Sequence, residues 1–246
     1  MWNVSGFTVA GSASDGYGIY VNADYCTISD NNASEHTYGI YLSSSSNCVL
    51  ENNNASSNGY WGSGICLHYS SNCTLTNNIA SSNSYGIRLK STSINNNIRG
   101  NTVSDNTDYG ICLGWSGDNE IYHNNFIDNN KQAYDHNGFN SWDKGASVGG
   151  NYWSDHSCSG NPSDGTEPYN GIDTNAGAVD TYPFEEPDGW ATAPPLFTTA
   201  DAVIALQIAA GIRPPNPRWD VSGDGSVTSL DALMILQATA GSTELG

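Results

Sequence analysis

Apolar and polar residues alternate with a period of two in short blocks along the first 130 residues. One block recurs as YGIYV (17–21), YGIYL (38–42), SGICL (63–67), YGIRL (85–89) and YGICL (109–113). A second block lies between these, for example CVLENNNAS (48–56) and CTLTNNIAS (73–81). A period of two places successive side chains on opposite faces of a strand. The pattern therefore predicts many short β-strands, arranged in a repeat.

The repeat has a length that fits one turn of a parallel β-helix. Its glycine stands at positions 18, 39, 64, 86 and 110, so the steps are 21, 25, 22 and 24 residues. One such turn cannot bury its own apolar face, whereas stacked turns about 4.8 Å apart can. The aligned apolar columns are Val4, Ile28, Leu50, Leu75, Ile98, Ile121; Val9, Ala33, Ala55, Ala80, Val103, Phe126; Ile19, Ile40, Ile65, Ile87, Ile111; and Val21, Leu42, Leu67, Leu89, Leu113. We expect five to six coils over residues 1–130, a loop-rich cap over 131–190 and a helical module over 191–246.

Asparagine also recurs in register with the coils. The column contains Asn31, Asn53, Asn78, Asn101 and Asn124, at steps of 22, 25, 23 and 23 residues. An inward asparagine at a corner can bond the backbone, and its amide can bond the asparagines of the neighbouring coils. We interpret this column as a structural asparagine ladder.

The cysteines and histidines are distributed differently. Cys26, Cys48 and Cys73 share one inward column, where either reduced thiols or a disulfide would fit, and the sequence leaves their redox state open. Cys66 and Cys112 lie at outward positions two coils apart. The five histidines share no column, so the pattern does not favour a copper or zinc site.

The repeats of residues 2–130 resemble the right-handed, single-stranded parallel β-helices of NosD-type periplasmic proteins and of carbohydrate-binding and sugar-hydrolase modules. This resemblance implies a fold more than a function, because lyases, epimerases, binding modules and passive spacers all use such repeats.

Residues 131–190 break the repeat. GGNYWSD (149–155) and DTYPF (180–184) resemble a segment that follows the β-helix in archaeal surface proteins, which implies a cell-surface or extracellular location. In those relatives the segment closes the end of the helix. The aromatic residues that we expect to cover the last coil are Trp142, Tyr152, Trp153, Tyr169, Tyr182 and Phe184.

The last 50 residues are typical of helices. TADAVIALQIAAG (199–211) and SLDALMILQATAG (229–241) repeat at an offset of 30 residues, with apolar residues every three to four positions. DVSGDGSVTSLD (220–231) precedes the second helix and has oxygen-bearing residues at the spacing of an EF-type calcium loop. The predicted metal ligands are Asp220, Ser222, Asp224, the Ser226 carbonyl, Thr228 and Asp231.

This helical stretch resembles an archaeal dockerin, because aspartate stands at the twelfth loop position and no helix enters the loop. Dockerins carry two such loops, but WATAPPLFTTAD (190–201) lacks ligands at the first three loop positions that need them. We therefore predict one calcium ion. The resemblance implies a cohesin-like protein as partner, and neighbouring copies of the same chain are the alternative.

The net charge of the protein limits the kinds of partner that it can bind. The chain has 7 Lys and Arg against 25 Asp and Glu, for a net charge of −18, which disfavours nucleic acid and anionic membranes and favours cations. No run of 18 apolar residues is present, so membrane insertion is not expected. No basic segment followed by an apolar stretch suggests a signal peptide.

Two functions remain open. The first is a non-catalytic surface scaffold with a calcium-binding connector, part of a larger assembly that includes head-to-tail self-association into filaments. The second is a carbohydrate-binding or polysaccharide-active β-helix held by a cohesin–dockerin contact. Tyr17, Tyr38, Tyr85 and Tyr109 form a stripe that fits sugar faces, although aromatic ladders also stabilise sheets. We assign no catalytic residue, because the carboxylates do not converge on one face.

Overall fold

The computed structural model describes residues 2–11, 16–59, 61–136, 139–174, 177–191, 199–214, 219, 221–222 and 225–239. Its contacts divide the chain into two units, Met1–Trp190 and Ala191–Gly246. The first unit contains all the β-strands of the described part, and the second contains two helices. Each unit is described by itself below.

The strands of the first unit are short, and most have three to six residues. They are β1 (Trp2–Ser5), β2 (Thr8–Ala10), β3 (Tyr17–Val21), β4 (Cys26–Ser29), β5 (Asn32–Ser34), β6 (Tyr38–Ser43), β7 (Val49–Glu51), β8 (Ser63–His68), β9 (Thr74–Thr76), β10 (Ile79–Ser81), β11 (Tyr85–Lys90), β12 (Asn97–Arg99), β13 (Thr102–Ser104), β14 (Tyr109–Gly114), β15 (Glu120–Tyr122), β16 (Asn125–Ile127), β17 (Lys131–Asp135), β18 (Tyr152–Trp153) and β19 (Asp173–Thr174).

These strands form three sides of a solenoid. Sheet A has the order β1-β4-β7-β9-β12-β15, and sheet C has the order β19-β17-β14-β11-β8-β6-β3. Sheet B consists of β2-β5 and β10-β13-β16-β18, which are linked through single bridges from Asn54 to Asn32 and Ile79. The described strands pair in parallel with their counterparts in the next coil, for example Ile28 with Leu50 and Leu50 with Leu75. The chain is therefore a mainly β parallel solenoid of about six turns.

The in-register pairing stacks like residues inside the solenoid. Ile28, Leu50, Leu75, Ile98 and Ile121 of sheet A are fully buried, as are the matching columns of sheets B and C from the second coil onward. Only the first coil is more open, because no described strand covers it: Val4 is half-buried, and Trp2 is 74% exposed. Burial of these columns supplies the hydrophobic stabilisation that no single coil could reach alone.

The corners of the coils follow one backbone rule. Many corners place a residue in the left-handed region immediately before an inward side chain, as in Asp30 (φ 56°) before Asn31 and Asn52 (φ 55°) before Asn53. Asparagine, aspartate and glycine tolerate this conformation best, which explains their abundance in the repeat.

The repeated glycine of sheet C is required by close packing rather than by a left-handed backbone. A Cβ atom at Gly64 would lie 2.5 Å from the carbonyl oxygen of Ala55 and 2.8 Å from the side-chain nitrogen of Asn83. The backbone of sheet C therefore approaches the preceding corner more closely than any side chain would permit.

The parallel sheet continues beyond Asn130, the last residue of the predicted repeat. Lys131–Asp135 forms β17, which pairs with β14 so that Ala133 lies beside Ile111 and Asp135 beside Leu113. Gln132 and Asp135 stand where earlier coils have glycine and leucine, which is why the sequence pattern ends before the fold does.

The cap after this coil buries aromatic side chains over the end of the core. Trp153 stacks on Phe126 of the last coil, with ring centroids 4.5 Å apart, and on Tyr169 at 4.1 Å. Trp142 and Phe184 are also buried, whereas Tyr152 and Tyr182 are half-buried. The aromatic residues thus cover the apolar end of the last coil.

The second unit contains α1 (Thr199–Ala209) and α2 (Ser229–Thr239). Their contact buries Ala202, Ala205, Ile208, Ala232 and Ile235, and Trp219 joins this cluster. Within the described residues, neither helix has the length and apolar character needed to cross a bilayer.

Candidate functional site

The solvent face of sheet C carries seven tyrosines. Two columns run across its coils. They are Tyr17, Tyr38, Ser63, Tyr85, Tyr109, Lys131 and Tyr20, Tyr41, Cys66, Arg88, Cys112, Tyr134. We call these two columns, with His68 and Lys90 beside them, the tyrosine face.

The four tyrosines of the predicted stripe form two pairs. Tyr17 stacks on Tyr38 with ring centroids 5.5 Å apart and an interplanar angle of 19°. Tyr85 and Tyr109 stack at 6.1 Å and 9°. Ser63 occupies the coil between the pairs, so the stripe consists of two aromatic platforms and a gap.

The first platform is wider than the stripe alone. Tyr20 stacks on Tyr41 at 5.9 Å and 9°, and Tyr17 contacts Tyr41 at 4.7 Å. Within the first platform Tyr17 and Tyr20 are strongly exposed, at 45% and 52%, whereas Tyr41 is buried among its neighbours. Burial raises the pKa of the Tyr41 phenol.

Three cations lie on these platforms, and one of them, the Lys131 ammonium, is 5.3 Å from the ring centroid of Tyr109. The ammonium of Lys90 is 5.6 Å from the ring centroid of Tyr38 and 5.5 Å from that of Tyr41. The guanidinium of Arg88 is 4.4 Å from the ring centroid of Tyr85. Such cation–π contacts contribute about 0.5–1 kcal/mol at exposed sites. Lys90 reaches back over two coils, a contact that strand periodicity does not reveal because it depends on the length of the side chain.

The gap between the platforms is lined by small buried groups. Ser63 is fully buried, and its hydroxyl has no hydrogen-bond partner in the described structure. Cys66 is also fully buried. Burial raises the pKa of its thiol to about 12 although Lys90 and Arg88 favour the thiolate, so the thiol is neutral at physiological pH.

His68 completes the edge of the face. Its Nδ1 atom lies 2.7 Å from the hydroxyl of Tyr41. Burial and the nearby Lys90 ammonium lower the pKa of the imidazole, so His68 is neutral at pH 7. The pair fixes the orientation of Tyr41 within the first platform.

The predicted asparagine ladder lies inside the solenoid. The side-chain amide of each asparagine donates to the side-chain oxygen of the next, over 2.9–3.0 Å, from Asn31 through Asn53, Asn78 and Asn101 to Asn124. Asn151 of the cap continues the ladder at 2.9 Å from Asn124. The cap is therefore joined to the solenoid by the same bond that joins its coils.

The sequence analysis missed further ladders at the other corners. One joins Asn58, Asn83, Asn106 and Asn129, and another joins Asn96, Asn119 and Asn140. A serine ladder runs through Ser45, Ser70, Ser93 and Ser116 by way of backbone N–H donors. Their steps of 21–25 residues in the sequence were the signal that could have identified them.

The cysteine column opens one of these ladders. The backbone N–H of Cys26 donates to Sγ of Cys48 at 3.4 Å, and that of Cys73 donates to the side-chain oxygen of Asn96 at 2.9 Å. The six cysteines are free thiols in this structure. Burial raises the pKa of Cys73 to about 12, so its thiol is a neutral packing group.

The predicted calcium loop is described in part. Asp220 and Asp224 lie outside the described residues. Asp231 is buried, and its carboxylate accepts the backbone N–H groups of Ser222 at 2.9 Å and Thr228 at 2.6 Å. Burial alone would raise the pKa of Asp231, but these hydrogen bonds outweigh it and lower the pKa to about 2. Gly225, the sixth loop residue, has a φ of 90°.

The remaining acidic side chains make separate contacts with partners of their own. Asp173 pairs with Lys131, Glu120 pairs with Lys144, Asp155 accepts from Tyr169, and Asp164 accepts from Thr166. Over the described part of the chain, no three His, Cys, Asp or Glu side chains converge as a metal site would require.

Comparison with known proteins gives one match. The protein-family model described as "Periplasmic copper-binding protein (NosD)" matches residues 1–158. No curated protein and no solved structure shows significant similarity to the chain.

Proposed function

The chain belongs to the NosD family through residues 1–158, and on that premise we propose that it is a non-catalytic β-helix scaffold of the periplasm or cell surface. The observation that supports this proposal is that the inward polar side chains bond neighbouring coils to one another. Asparagine and serine side chains at the corners are engaged in ladders between coils, and the last coil is covered by stacked aromatic residues. These contacts hold the coils in a rigid stack, and a scaffold requires a rigid structure.

Three finer features belong to the same proposal. The winding is right-handed, as parallel crossovers almost always are. The protein has its place on an archaeal surface, as the resemblance of the cap segment implies. The chain is part of a larger assembly, as the resemblance of its helical stretch to a dockerin implies.

The family's description names copper, but the described residues do not fit a copper site. Copper prefers imidazole and thiolate ligands that converge on one point. His68 contacts Tyr41, His123 contacts the Val148 carbonyl, and His156 contacts the Glu167 carbonyl. The cysteine thiols are buried, and those of Cys66 and Cys73 are held neutral by their raised pKa values. Our proposal therefore assigns no role to copper.

The helical unit is proposed to be a dockerin-like connector that binds one calcium ion. Asp220, Ser222, Asp224, Ser226, Thr228 and Asp231 would supply the oxygen ligands, which suit a hard cation. The left-handed Gly225 at the sixth position supports the sharp turn that an EF-type loop needs.

The partner of this connector is proposed to be a cohesin-like protein or another copy of the chain. Support comes from apolar side chains that the helices leave in solvent: Val203, Leu206, Leu230 and Leu233 are each 50–52% exposed. Equivalent residues of the two sequence repeats contribute, namely Val203 with Leu233. A patch of this kind on a small helical unit is typical of an interaction surface.

Calorimetric titration with calcium, combined with light scattering on the same samples, tests this function. We expect one site per chain, which is lost in the double variant Asp220→Ala/Asp224→Ala. Asp201→Asn is the matched control, because Asp201 is the repeat equivalent of Asp231 but follows no ligand-bearing loop. Growth of the particles upon calcium binding would support self-assembly, and one site without growth would favour a cohesin-like partner. Absence of calcium binding in the unaltered chain would refute the connector.

A second candidate function is binding of polysaccharide by the tyrosine face. It is favoured by the two stacked tyrosine platforms, which match the flat faces of sugar rings. Polysaccharide cleavage has less support, since the described carboxylates near this face are few and Asp173 is paired with Lys131.

A further inference from the structure

The tyrosine face differs from the other two faces of the same solenoid. All three sheets have parallel strands in the same register, yet the matching outward positions of sheet B are mostly Asn, Ser and Thr. Sheet A has the outward column Asn3, Thr27, Val49, Thr74, Asn97 and Glu120. The coils therefore pair well without outward aromatic residues, and the tyrosines of sheet C are not needed to hold the sheet together.

The charges of sheet C are also unlike those of the whole chain. The protein has 25 acidic residues and 7 basic ones. No outward position of β3, β6, β8, β11 or β14 is acidic. Lys131 and Lys144 pair with carboxylates, whereas Arg88 and Lys90 have no ion-pair partner within the described structure. In so acidic a protein, two unpaired cations on one face are available for an external anion.

The cations lie at the gap in the aromatic stripe. The Ser63 coil separates Tyr38 from Tyr85, which places the two platforms about 9.6 Å apart, or two coil spacings. Lys90 lies over the first platform and Arg88 over the second. The buried Ser63 hydroxyl below them has no partner. Aromatic faces, cations and an unused hydroxyl therefore occur together at one place.

We propose that the tyrosine face binds an acidic polysaccharide, whose sugar rings pack against the tyrosine platforms beside Arg88 and Lys90, and these two cations bind its carboxylates. This inference rests on the glycan-binding candidate above and specifies the charge of the ligand. The net charge of −18 is no obstacle at physiological ionic strength, because charges more than about 8 Å away are largely screened.

The test compares two polymers that differ only in charge. Polygalacturonate and its carboxyl-reduced form have the same backbone, and their affinities for the full chain are measured by affinity electrophoresis and calorimetry. We expect at least about tenfold tighter binding of the charged polymer, because hydrogen bonds to charged groups are the stronger class. Lys90→Gln and Arg88→Gln should each remove most of this preference, and Lys90→Arg should retain it.

Arg99→Gln is the matched control, since Arg99 is an outward cation of sheet A that pairs in register with Thr76 and Tyr122. It should leave the affinity unchanged. An equal loss in this variant would overturn the site, because binding would then depend only on overall charge. Binding of single-stranded DNA as tight as that of polygalacturonate would also overturn it.

The failure of this inference is distinguishable from that of the broader candidate. Equal binding of the charged and reduced polymers would refute the acidic class and leave glycan binding intact. Absence of binding to both polymers would refute the inference and the candidate function together. Tyr85→Ala removes one ring of the second platform without changing the charge of the protein. It should weaken the binding of both polymers alike if the sugar rings pack against the tyrosines. Circular dichroism of each variant verifies that the solenoid is folded.

Discussion

Asn78 and Asn101 are joined by two hydrogen bonds to a single oxygen. The side-chain amide of Asn78 donates to Oδ1 of Asn101 at 3.0 Å, and its backbone N–H donates to the same atom at 2.9 Å. Both residues are fully buried. One side chain thus satisfies two donors of the preceding coil, which would otherwise be left in an apolar interior.

The first prediction follows from this pair. Asn78→Ala removes the acceptor for Asn53 and leaves buried donors and acceptors unsatisfied. We expect the free energy of unfolding to fall by about 1–3 kcal/mol, as measured by chemical denaturation. Asn32→Ala is the control, because Asn32 is exposed and outside the ladder. A loss as large for Asn32→Ala as for Asn78→Ala would argue against a special role for the ladder.

The second prediction concerns the aromatic cap. Trp153 is buried between Phe126 and Tyr169, so Trp153→Ala should leave a cavity at the end of the core. We expect a loss of about 3–5 kcal/mol in the free energy of unfolding. Trp115→Ala removes an equally large side chain that is 67% exposed, and it should change the stability far less. Similar stability of the two variants would contradict the capping role.

The third prediction concerns the pH dependence of the cap. Asp180 is fully buried, and burial raises its pKa to about 7 despite hydrogen bonds from the Trp153 indole and from Asn151. A folded-state pKa above the unfolded value favours folding at low pH. The contribution of Asp180 is therefore complete below about pH 4 and is lost as the pH rises through about 7.

Thermal unfolding of the full chain between pH 4.5 and 8, followed by tryptophan fluorescence, measures this effect. The melting temperature should decline across this range in the unaltered protein, and the decline should be smaller in Asp180→Asn. A pH dependence of the melting temperature that is the same in Asp180→Asn as in the unaltered protein would contradict this titration of Asp180.

The sequence determines the solenoid more fully than it determines the surface. Ile28, Leu50 and Leu75 could be aligned because a buried column demands the same residue type in every coil. The ladder of Asn58 and Asn83 obeys the same demand, and its repeat of 23–25 residues is present in the sequence as well. By contrast, the sequence pattern did not predict β17, because Gln132 and Asp135 stand where the preceding strand has Gly110 and Leu113.

The surface features depend on lengths and gaps that periodicity does not encode. Four tyrosines of one column were predicted to form a stripe, and Ser63, which takes the same position in the coil between Tyr38 and Tyr85, divides it into two platforms. The position of Lys90 over Tyr38 and Tyr41 follows from a long side chain that crosses two coils. The calcium loop stays a prediction from residue spacing, since Asp220 and Asp224 lie outside the described residues.

The two coils that begin at Cys48 and Cys73 offer their neighbours equivalent donors and acceptors, and this makes them interchangeable. Cys48 and Cys73 occupy equivalent positions in consecutive coils, as do Ser45 and Ser70 before them and Asn53 and Asn78 after them. Removal of residues 48–72 would join Asn47 to Cys73 and recreate an identical junction. The length of this molecule can thus change by whole coils through duplication or deletion, while the faces at its two ends stay the same.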